Sequence, residues 1–476
     1  MVANRKEILL LALIIIISGI LRFYDANTQL WLDEISAWLN SIQRPFAQIV
    51  SEWPGVASHI FFEVLSHLSV TIFGFSPIAL RLPAIIFGVL SVYAMYRVAR
   101  LIGDWQFAIF ASALFGASYH HIYYSQNARG YTALICLYLL TTECIMRMTR
   151  TLDTSLSLSI AYAILGTLAA YAHPFGGLIV AGQFVFLLGH SMVVRKRYMP
   201  SWPLIAPFVA IGIMTALLYA PFFDEIIAYA ANNAATYGSD QPAVESSLFA
   251  ELLDGLLNAF MGWPGLIIAL LAMLIGATWW LVTSPASIFL FGLPVGIQLL
   301  IFVALGFGLH PRYFVIILPA IYIAVVFAVE ALLQLSAASR RGAYRPCIYV
   351  LLILISFVPL NDYYKYPMQD YTSALSYVES HQSATDLRFG IHSSGYVLTD
   401  FYKHDFPRVD TLDDLKTQER RNSNVWLVVS LESIIADGAP QLIEYIHSNY
   451  DRRAKFPGTV GNGTVSVYFR STSDEP

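Results

Sequence analysis

The chain has 476 residues, of which 57% are hydrophobic and 13% are charged. Soluble globular proteins carry roughly 25% charged residues, so the composition argues against a purely soluble enzyme. Lys and Arg number 28 against 32 Asp and Glu, which gives a net charge of -4. This near-balance argues against a nucleic-acid-binding protein with a basic face.

The charges are divided unevenly along the chain. The first 360 positions hold 17 basic and 16 acidic residues, whereas the last 116 hold 11 and 16. This division predicts a transmembrane body over 1–360 and a soluble domain over 361–476. The three cysteines, Cys136, Cys144 and Cys347, lie in apolar stretches, and they predict neither a disulfide framework nor a cysteine-based metal site.

Apolar stretches of bilayer-crossing length follow one another through the body. A transmembrane helix needs roughly 20 apolar residues, and the sequence offers about eleven such stretches. The first is expected to be retained and not cleaved as a signal peptide, because no small-residue cleavage site follows it. The predicted class is an α-helical polytopic membrane protein with spans near 8–24, 79–100, 105–122, 131–149, 156–172, 174–193, 203–222, 259–282, 286–308, 313–335 and 346–360.

Basic residues predict the orientation in the cell membrane. With eleven spans, twelve Lys and Arg residues fall on the side of the N-terminus and five on the other side before the tail. The positive-inside rule then places the N-terminus in the cytoplasm and the C-terminal domain outside it. The five outer cations are Arg22, Arg44, Arg81, Arg129 and Arg312.

Two long outer loops, 25–78 and 223–258, are the predicted location of a functional site. Within the first, the segment 58–75 predicts an amphipathic helix at the membrane interface, with His59, Glu63 and His67 facing water. The tail predicts a small α/β or α+β domain, of which α/β is the assignment made, with helices over 371–381 and 439–449 and strands over 387–392, 425–430 and 465–470.

Asp33 and Glu34 stand in the first outer loop, in the sequence LWLDEISAW. Neighbouring side chains diverge, so one carboxylate can act as a base while the other accepts a hydrogen bond or positions its partner. A solvated acidic pair beside interfacial tryptophans is an equally valid interpretation.

Three outer arginines, Arg81, Arg129 and Arg312, lie beside span ends. They either anchor the protein to lipid headgroups or converge on a phosphate, which the planar guanidinium binds in a bidentate manner. His173, before Pro174, is either a structural residue, a partner of that phosphate or a metal ligand. The spacing of histidines and acids predicts no metal site, and use of a divalent ion is left open.

In chain order, five motifs resemble the membrane glycosyltransferases of the C-type fold, in particular family 39, the protein O-mannosyltransferases and the bacterial aminoarabinose transferases. The motifs are WLDE, FGFSPIALRLPAIIFGVLSVYAMYRVAR, YYSQNARGYTALICLYLL, YAHPFGGLIVAGQ and HPRYFVIILPA. The family's SQ-E-AR motif usually has glutamate where this chain has Asn127. The tail is similar to the extracytoplasmic domain that many members carry.

The resemblance implies an inverting transferase that uses a polyprenyl-phosphate sugar donor at the outer face, with an acceptor that the sequence does not identify. Asp33 corresponds to the catalytic base and Glu34 to its companion. The implied donor-phosphate site comprises Arg81, Arg129, His173, Arg312 and Tyr313. Nucleotide sugars are absent outside the cytoplasm, so activation must arrive on a lipid, whose phosphate needs cationic partners.

A transporter or flippase of a lipid-linked molecule is the alternative function. Such proteins place ionisable residues near the membrane midplane, whereas those of this chain cluster at one face. A membrane-anchored binding module does not explain why acids and arginines collect on the outer side of the body.

Overall fold

The computed structural model describes residues 4–53, 55, 58–150, 155–237, 262–305, 311–335, 338–419, 423–461 and 463–471. The chain divides into two compact units. The first comprises Met1–Ala26, Pro45–Phe75 and Ala79–Pro359, and the second comprises Asn27–Arg44, Ser76–Ile78 and Leu360–Pro476. The first part of the long outer loop, which carries Asp33, therefore belongs to the same unit as the C-terminal domain.

Helices make up the first unit, and each of the eleven predicted stretches overlaps one of them. In the described part of the chain, eight helices are long and apolar enough to cross a membrane, so the protein is a multi-pass membrane protein; the total of eleven spans stays a prediction. The helical segments up to residue 363 that lie outside 27–44 are Arg5–Phe23, Phe46–Ile49, Ile60–Phe73, Pro77–Ile102, Trp105–Gly116, Tyr119–Ser125, Tyr131–Arg150, Leu156–Ala172, Phe175–Val193, Trp202–Tyr219, Ala220–Phe222, Phe223–Tyr237, Trp263–Thr283, Pro285–Leu305, Pro311–Ile317, Leu318–Gln334, Ala338–Ser356 and Val358–Tyr363.

The predicted amphipathic helix of the first outer loop spans Ile60–Phe73, but the predicted orientation of its polar side is wrong. His59 and Glu63 are buried, whereas Ile72 and Phe73 are about 70% exposed. The Glu63 carboxylate accepts hydrogen bonds from the Ser58 hydroxyl and the His59 N–H, both at 2.9 Å, at the start of its own helix. The polar side thus faces protein, because its groups have hydrogen-bonding partners there.

Serines of this helix complete the hydrogen bonding of the helix Pro77–Ile102. Pro83, inside that helix, has no N–H to give to the carbonyl of Ala79 four residues earlier. The Ser69 hydroxyl donates to this carbonyl at 2.6 Å. A proline inside a transmembrane helix is tolerated when a neighbouring side chain satisfies the carbonyl that it leaves without a partner.

The second unit contains a five-stranded sheet in the order β2-β1-β3-β5-β4. Strands β1 (Leu387–Ile391), β2 (Arg408–Val409) and β3 (Val425–Ser430) run parallel, and β5 (Val465–Arg470) pairs antiparallel with β3 and with β4 (Asp451–Phe456). Every residue of β3 is buried, as expected of a central strand. The helical segments of this unit are Leu32–Ala37, Trp38–Ile42, Tyr371–His381, Ser393–Tyr396, Val397–Phe401, Leu412–Gln418, Glu432–Gly438 and Pro440–Asn449.

The α/β character predicted for the tail is confirmed, and so are its two long helices and three of its strands. The edge strand β4 has the sequence DRRAKF, whose side chains are mostly exposed. Charged residues are typical of edge strands, and they remove the apolar alternation by which a strand is predicted. Of the second long outer loop, the structure describes the part up to Tyr237, and 238–258 lies outside the described residues.

Candidate functional site

The turn of sequence QNARG, at 126–130, is fixed to the end of the first helix. The Gln126 side-chain amide donates to the carbonyls of Arg22 at 3.0 Å and of Tyr24 at 2.6 Å. These carbonyls lie at the C-terminus of the helix Arg5–Phe23, where no further turn supplies N–H donors. Gln126 therefore caps that helix and holds in place the turn that carries Arg129.

Gly130 allows the same turn to pack against His59 and the end of a second helix. Its N–H donates to His59 Nδ1 at 2.7 Å. A Cβ atom at this position would lie 2.7 Å from the Ala172 carbonyl oxygen and 2.9 Å from His59 Nδ1. Both distances are below van der Waals contact, so the close approach requires glycine.

His59 and His173 form an edge-to-face pair, with ring centroids 4.6 Å apart, and Tyr131 packs on His59 at 5.1 Å. His173 Nδ1 accepts a hydrogen bond from the Phe175 N–H at 3.2 Å. Because Nδ1 is the acceptor in both rings, the proton of each neutral imidazole is assigned to Nε2.

Both imidazoles are held in the neutral state. Burial lowers the pKa of His173 to about 3, and the positive charge of Arg129 adds to this effect. Burial also lowers the pKa of His59 far below its usual value, and the positive charges of Arg129 and Arg312 add to this effect. Each ring of the pair therefore has one N–H donor, at Nε2, and adds no charge of its own at neutral pH.

Arg129 lies beside this pair and is 7% exposed. Its Nε atom is buried and has no hydrogen-bond partner among the residues that the structure describes. A buried guanidinium donor without a partner costs more than a neutral one, so such a group is expected to receive a ligand. Phosphate oxygens match the geometry of the guanidinium donors.

Arg312 and Tyr313 lie in the short 3₁₀ helix Pro311–Ile317. The guanidinium carbon of Arg312 lies 5.6 Å from the centre of the Tyr313 ring. The buried Gln298 donates from its amide to the Tyr313 carbonyl at 2.6 Å, and Tyr313 packs edge-to-face on Phe175, the second residue after His173. Hydrogen bonding and packing thus connect this segment to the histidine pair.

Arg81 has a different environment. It is buried in the helix Pro77–Ile102 and donates from Nη1 to the Ala26 carbonyl at 3.0 Å, just after the end of the first helix. Its positive charge also acts on Asp25, whose pKa is raised overall because burial outweighs that attraction. At least one donor of Arg81 therefore stabilises the chain itself.

Asp33 and Glu34, in the second unit, lie in the first turn of the helix Leu32–Ala37. Glu34 is fully buried, and its carboxylate accepts a hydrogen bond from the Trp31 N–H at 3.3 Å. Asp33 is only half-buried. The two neighbouring carboxylates thus have different environments, and that of Glu34 caps its own helix.

A family model described as dolichyl-phosphate-mannose-protein mannosyltransferase matches residues 59–233. No curated protein sequence matches the chain. The matched region contains His59, Arg81, Arg129 and His173, and it ends before Arg312.

Solved structures resemble the chain over almost its whole length. ArnT from Cupriavidus metallidurans bound to undecaprenyl phosphate is 14% identical, with a TM-score of 0.57 and coverage of 98% of both chains. The oligosaccharyltransferase AglB from Archaeoglobus fulgidus, in complex with an inhibitory peptide and a dolichol-phosphate, is 13% identical, with a TM-score of 0.52 over 99% of this chain and 75% of that one. The chain has the C-type membrane glycosyltransferase fold. The resemblance inferred from the five sequence motifs is confirmed.

Within the C-type body, the structure brings together four of the residues predicted for donor binding: Arg129, His173, Arg312 and Tyr313. The sequence pattern predicts His59 on a water-facing stripe, so the place of His59 in this cluster was not predicted. Gly130 and Gln298 carry no such pattern and were not predicted either. A separate solved structure of the archaeal oligosaccharyltransferase contains Zn and sulfate. The described residues of this chain include no group of three His, Cys, Asp or Glu that could hold a metal ion.

Proposed function

We propose that the protein is an inverting glycosyltransferase that moves a sugar from a polyprenyl-phosphate donor to an acceptor hydroxyl or amine at the non-cytoplasmic face of the membrane. The observation that carries the proposal is the buried Arg129, whose Nε lacks a partner among the described residues. A donor phosphate would supply acceptor oxygens for this guanidinium and a negative charge to pair with it.

The donor class is supported by two of the similar structures. ArnT was solved with undecaprenyl phosphate and AglB with a dolichol-phosphate. Both ligands are polyprenyl-type phosphates, and each combines a long apolar chain with one anionic headgroup. In this protein, buried cationic and N–H donors within a helical membrane body suit such a molecule.

We assign donor binding to Arg129, Arg312, His173 and Tyr313, with Arg81 as a further candidate. The guanidinium groups would bind the phosphate oxygens, and the neutral imidazole of His173 would donate a hydrogen bond without adding charge. These groups would also stabilise the negative charge that develops on the phosphate as it leaves.

Asp33 is the proposed base. As the acceptor oxygen or nitrogen attacks the anomeric carbon, Asp33 takes its proton, and the bond from that carbon to the phosphate oxygen breaks. The polyprenyl phosphate leaves with the bonding electrons, and attack from the opposite side inverts the configuration. Glu34 would act through its cap on the helix that carries Asp33.

Asp33→Asn tests this proposal, because it removes the base with little change of shape. A strain that lacks the gene is complemented with the wild type or the variant, and its lipids, glycans and proteins are compared by mass spectrometry. We expect the sugar-modified product to disappear in the variant, while expression and undecaprenyl phosphate affinity stay within twofold of the wild type. Product at the wild-type level would exclude Asp33 as the base.

Asp25→Asn is the matched control. Asp25 is an aspartate of the same loop with φ of 57°, a conformation that asparagine also tolerates. We expect this variant to keep its product. A transporter or flippase, in contrast, would move the lipid-linked molecule across liposomes of the purified protein without forming a new glycosidic bond.

A further inference from the structure

Two adjacent residues of the C-terminal domain hold the segment that carries Asp33. The Leu32 N–H donates to Gln369 Oε1 at 2.8 Å, and the Gln29 side-chain amide donates to Asp370 Oδ1 at 2.7 Å. All four residues belong to the second unit. We call Gln369 and Asp370 the clamp.

The clamp satisfies a group that the helix Leu32–Ala37 cannot satisfy itself. The first N–H groups of any helix lack intrahelical partners. Here the Leu32 N–H is bonded to Gln369, and the Trp31 N–H is bonded to Glu34. A helix of six residues is not stable on its own, so its position depends on such outside contacts.

The clamp itself is rigidly anchored. Gln369 is fully buried. Asp370 Oδ1 also accepts the Ser373 N–H at 3.1 Å, which caps the helix Tyr371–His381. The buried Tyr371 hydroxyl is hydrogen-bonded to Ser430 at the end of the central strand β3, at 2.9 Å. The helix that carries Asp33 is thereby connected to the core of the sheet.

Both atoms of the Gln29 side-chain amide form hydrogen bonds to the start of the helix Tyr371–His381. Its Nε2 donates to Asp370, and its Oε1 accepts the Thr372 N–H at 3.1 Å. Asp33 follows Leu32 directly, so bonds on both Gln29 and Leu32 restrict the direction from which its carboxylate leaves the backbone. Rate falls steeply when a catalytic group is displaced by about 1 Å.

We propose that Gln369 is a positioning residue for Asp33, and that the C-terminal domain holds the catalytic helix in place through the clamp. The inference rests on the proposed function, because the effect of Gln369 on transfer passes through Asp33. It gives the C-terminal domain a part in the catalytic step that is separate from donor binding by the membrane body.

The test compares Gln369→Leu, which removes the acceptor oxygen, with Gln369→Glu, which keeps one. In the full-length purified protein, hydrogen exchange of the amides of 32–37 is expected to be at least tenfold faster in Gln369→Leu and close to wild type in Gln369→Glu. Product per unit protein in the complemented strain should fall at least tenfold in Gln369→Leu and recover in Gln369→Glu. Undecaprenyl phosphate affinity should stay within twofold in both.

Asp386→Asn is the matched control, since Asp386 accepts hydrogen bonds from Trp426 and Asn424 within the same domain, and these partners lie outside the clamp. It should leave exchange over 32–37 unchanged. If Gln369→Leu fails to fold, Gln29→Ala takes its place in the comparison. Gln29 is only half-buried, and its removal breaks the bonds to Asp370 and Thr372.

The outcomes separate the two proposals. Unchanged exchange over 32–37 in Gln369→Leu overturns the clamp. If Gln369→Leu shows faster exchange but forms as much product as the wild type, while Asp33→Asn forms none, the positioning role of Gln369 is overturned. If Asp33→Asn also keeps its product, the proposed function has failed, and the positioning role, which depends on it, fails too; the exchange result then shows only that Gln369 stabilises this helix.

Discussion

Replacing Arg129 by methionine should stabilise the ligand-free protein and at the same time weaken donor binding. Methionine keeps much of the length of the side chain but has no donor that requires a partner. A buried donor without a partner costs about 1–3 kcal/mol, and a charged one costs more. The Nε of Arg129 is such a donor among the described residues. At about 2 °C per kcal/mol for a large chain, the apparent unfolding temperature should rise by roughly 2–6 °C.

Donor affinity should change in the opposite direction. Hydrogen bonds to charged groups contribute about 1.5–3 kcal/mol, which corresponds to a loss of roughly 10- to 150-fold in affinity. Undecaprenyl phosphate at 100 times its Kd should raise the stability of the wild type by about 2.7 kcal/mol. The same concentration is only about 0.7 to 10 times the weakened Kd of the variant, so its stability should rise by only about 0.3–1.4 kcal/mol.

The assay is thermal unfolding of the purified protein in detergent, with and without undecaprenyl phosphate. Arg22→Met is the matched control, because Arg22 is also buried but donates to Ser125, to Gly116 and to both the carbonyl and the hydroxyl of Ser18. Its removal should lower the unfolding temperature. A lower unfolding temperature for Arg129→Met, together with an undiminished response to the lipid, would refute the reasoning and make Arg129 a structural residue.

Three further predictions concern the same region. Gly130→Ala should cost about 1–3 kcal/mol of stability by overpacking and should weaken undecaprenyl phosphate binding, as measured by unfolding and titration. Wild-type values for both would contradict the close packing of Gly130 on His59 and Ala172. Lowering the pH from 7 to 5 should reduce the free energy of unfolding by about 2 kcal/mol through His173, because the unfolded form gains a proton below about pH 6.5 while the folded pKa is about 3. His173→Gln should therefore make the dependence of stability on pH less steep over this range. A dependence as steep as in the wild type would contradict the lowered pKa. Gln298→Leu should weaken lipid-phosphate binding up to about tenfold, because it releases the Tyr313 carbonyl. Gln183→Leu, at another fully buried glutamine, should reduce stability without changing binding. Equal effects of the two variants on binding would count against a positioning role for Gln298.

The helices of the body were predictable because lipid imposes a strong constraint on the sequence. A span must be apolar over most of its length, and that pattern can be recognised without knowledge of its neighbours. The orientation of the helix Ile60–Phe73 was not predictable in this way. Its polar side faces protein because Ser69 and His59 are hydrogen-bonded to Ala79 and Gly130 outside the helix. Hydrophobic periodicity alone does not show whether the polar side of a helix contacts water or protein.

The site shows the same limit. Arg129 and Arg312 stand out in the sequence because the predicted topology assigns them to the outer side, where the positive-inside rule leaves few arginines. Gln369 has no comparable signal. Its partner Leu32 lies 337 residues away in the sequence. A glutamine in the C-terminal domain is ordinary until the backbone N–H that donates to it is known. Residues that act by positioning others are found from three-dimensional contacts.

The arginines predicted to lie on the outer side differ in how the fold satisfies their donors. Arg22 is saturated by hydroxyls and carbonyls, and Arg81 donates to the carbonyl of Ala26. The body is therefore able to satisfy a buried guanidinium from its own groups. The Nε of Arg129 has no such bond among the described residues. The free energy of folding is therefore less favourable than it would be if a group of the protein accepted this hydrogen bond. Natural proteins retain such costs mainly at functional sites, so the same physical argument that makes Arg129 unfavourable for folding makes it the strongest candidate for binding the donor phosphate.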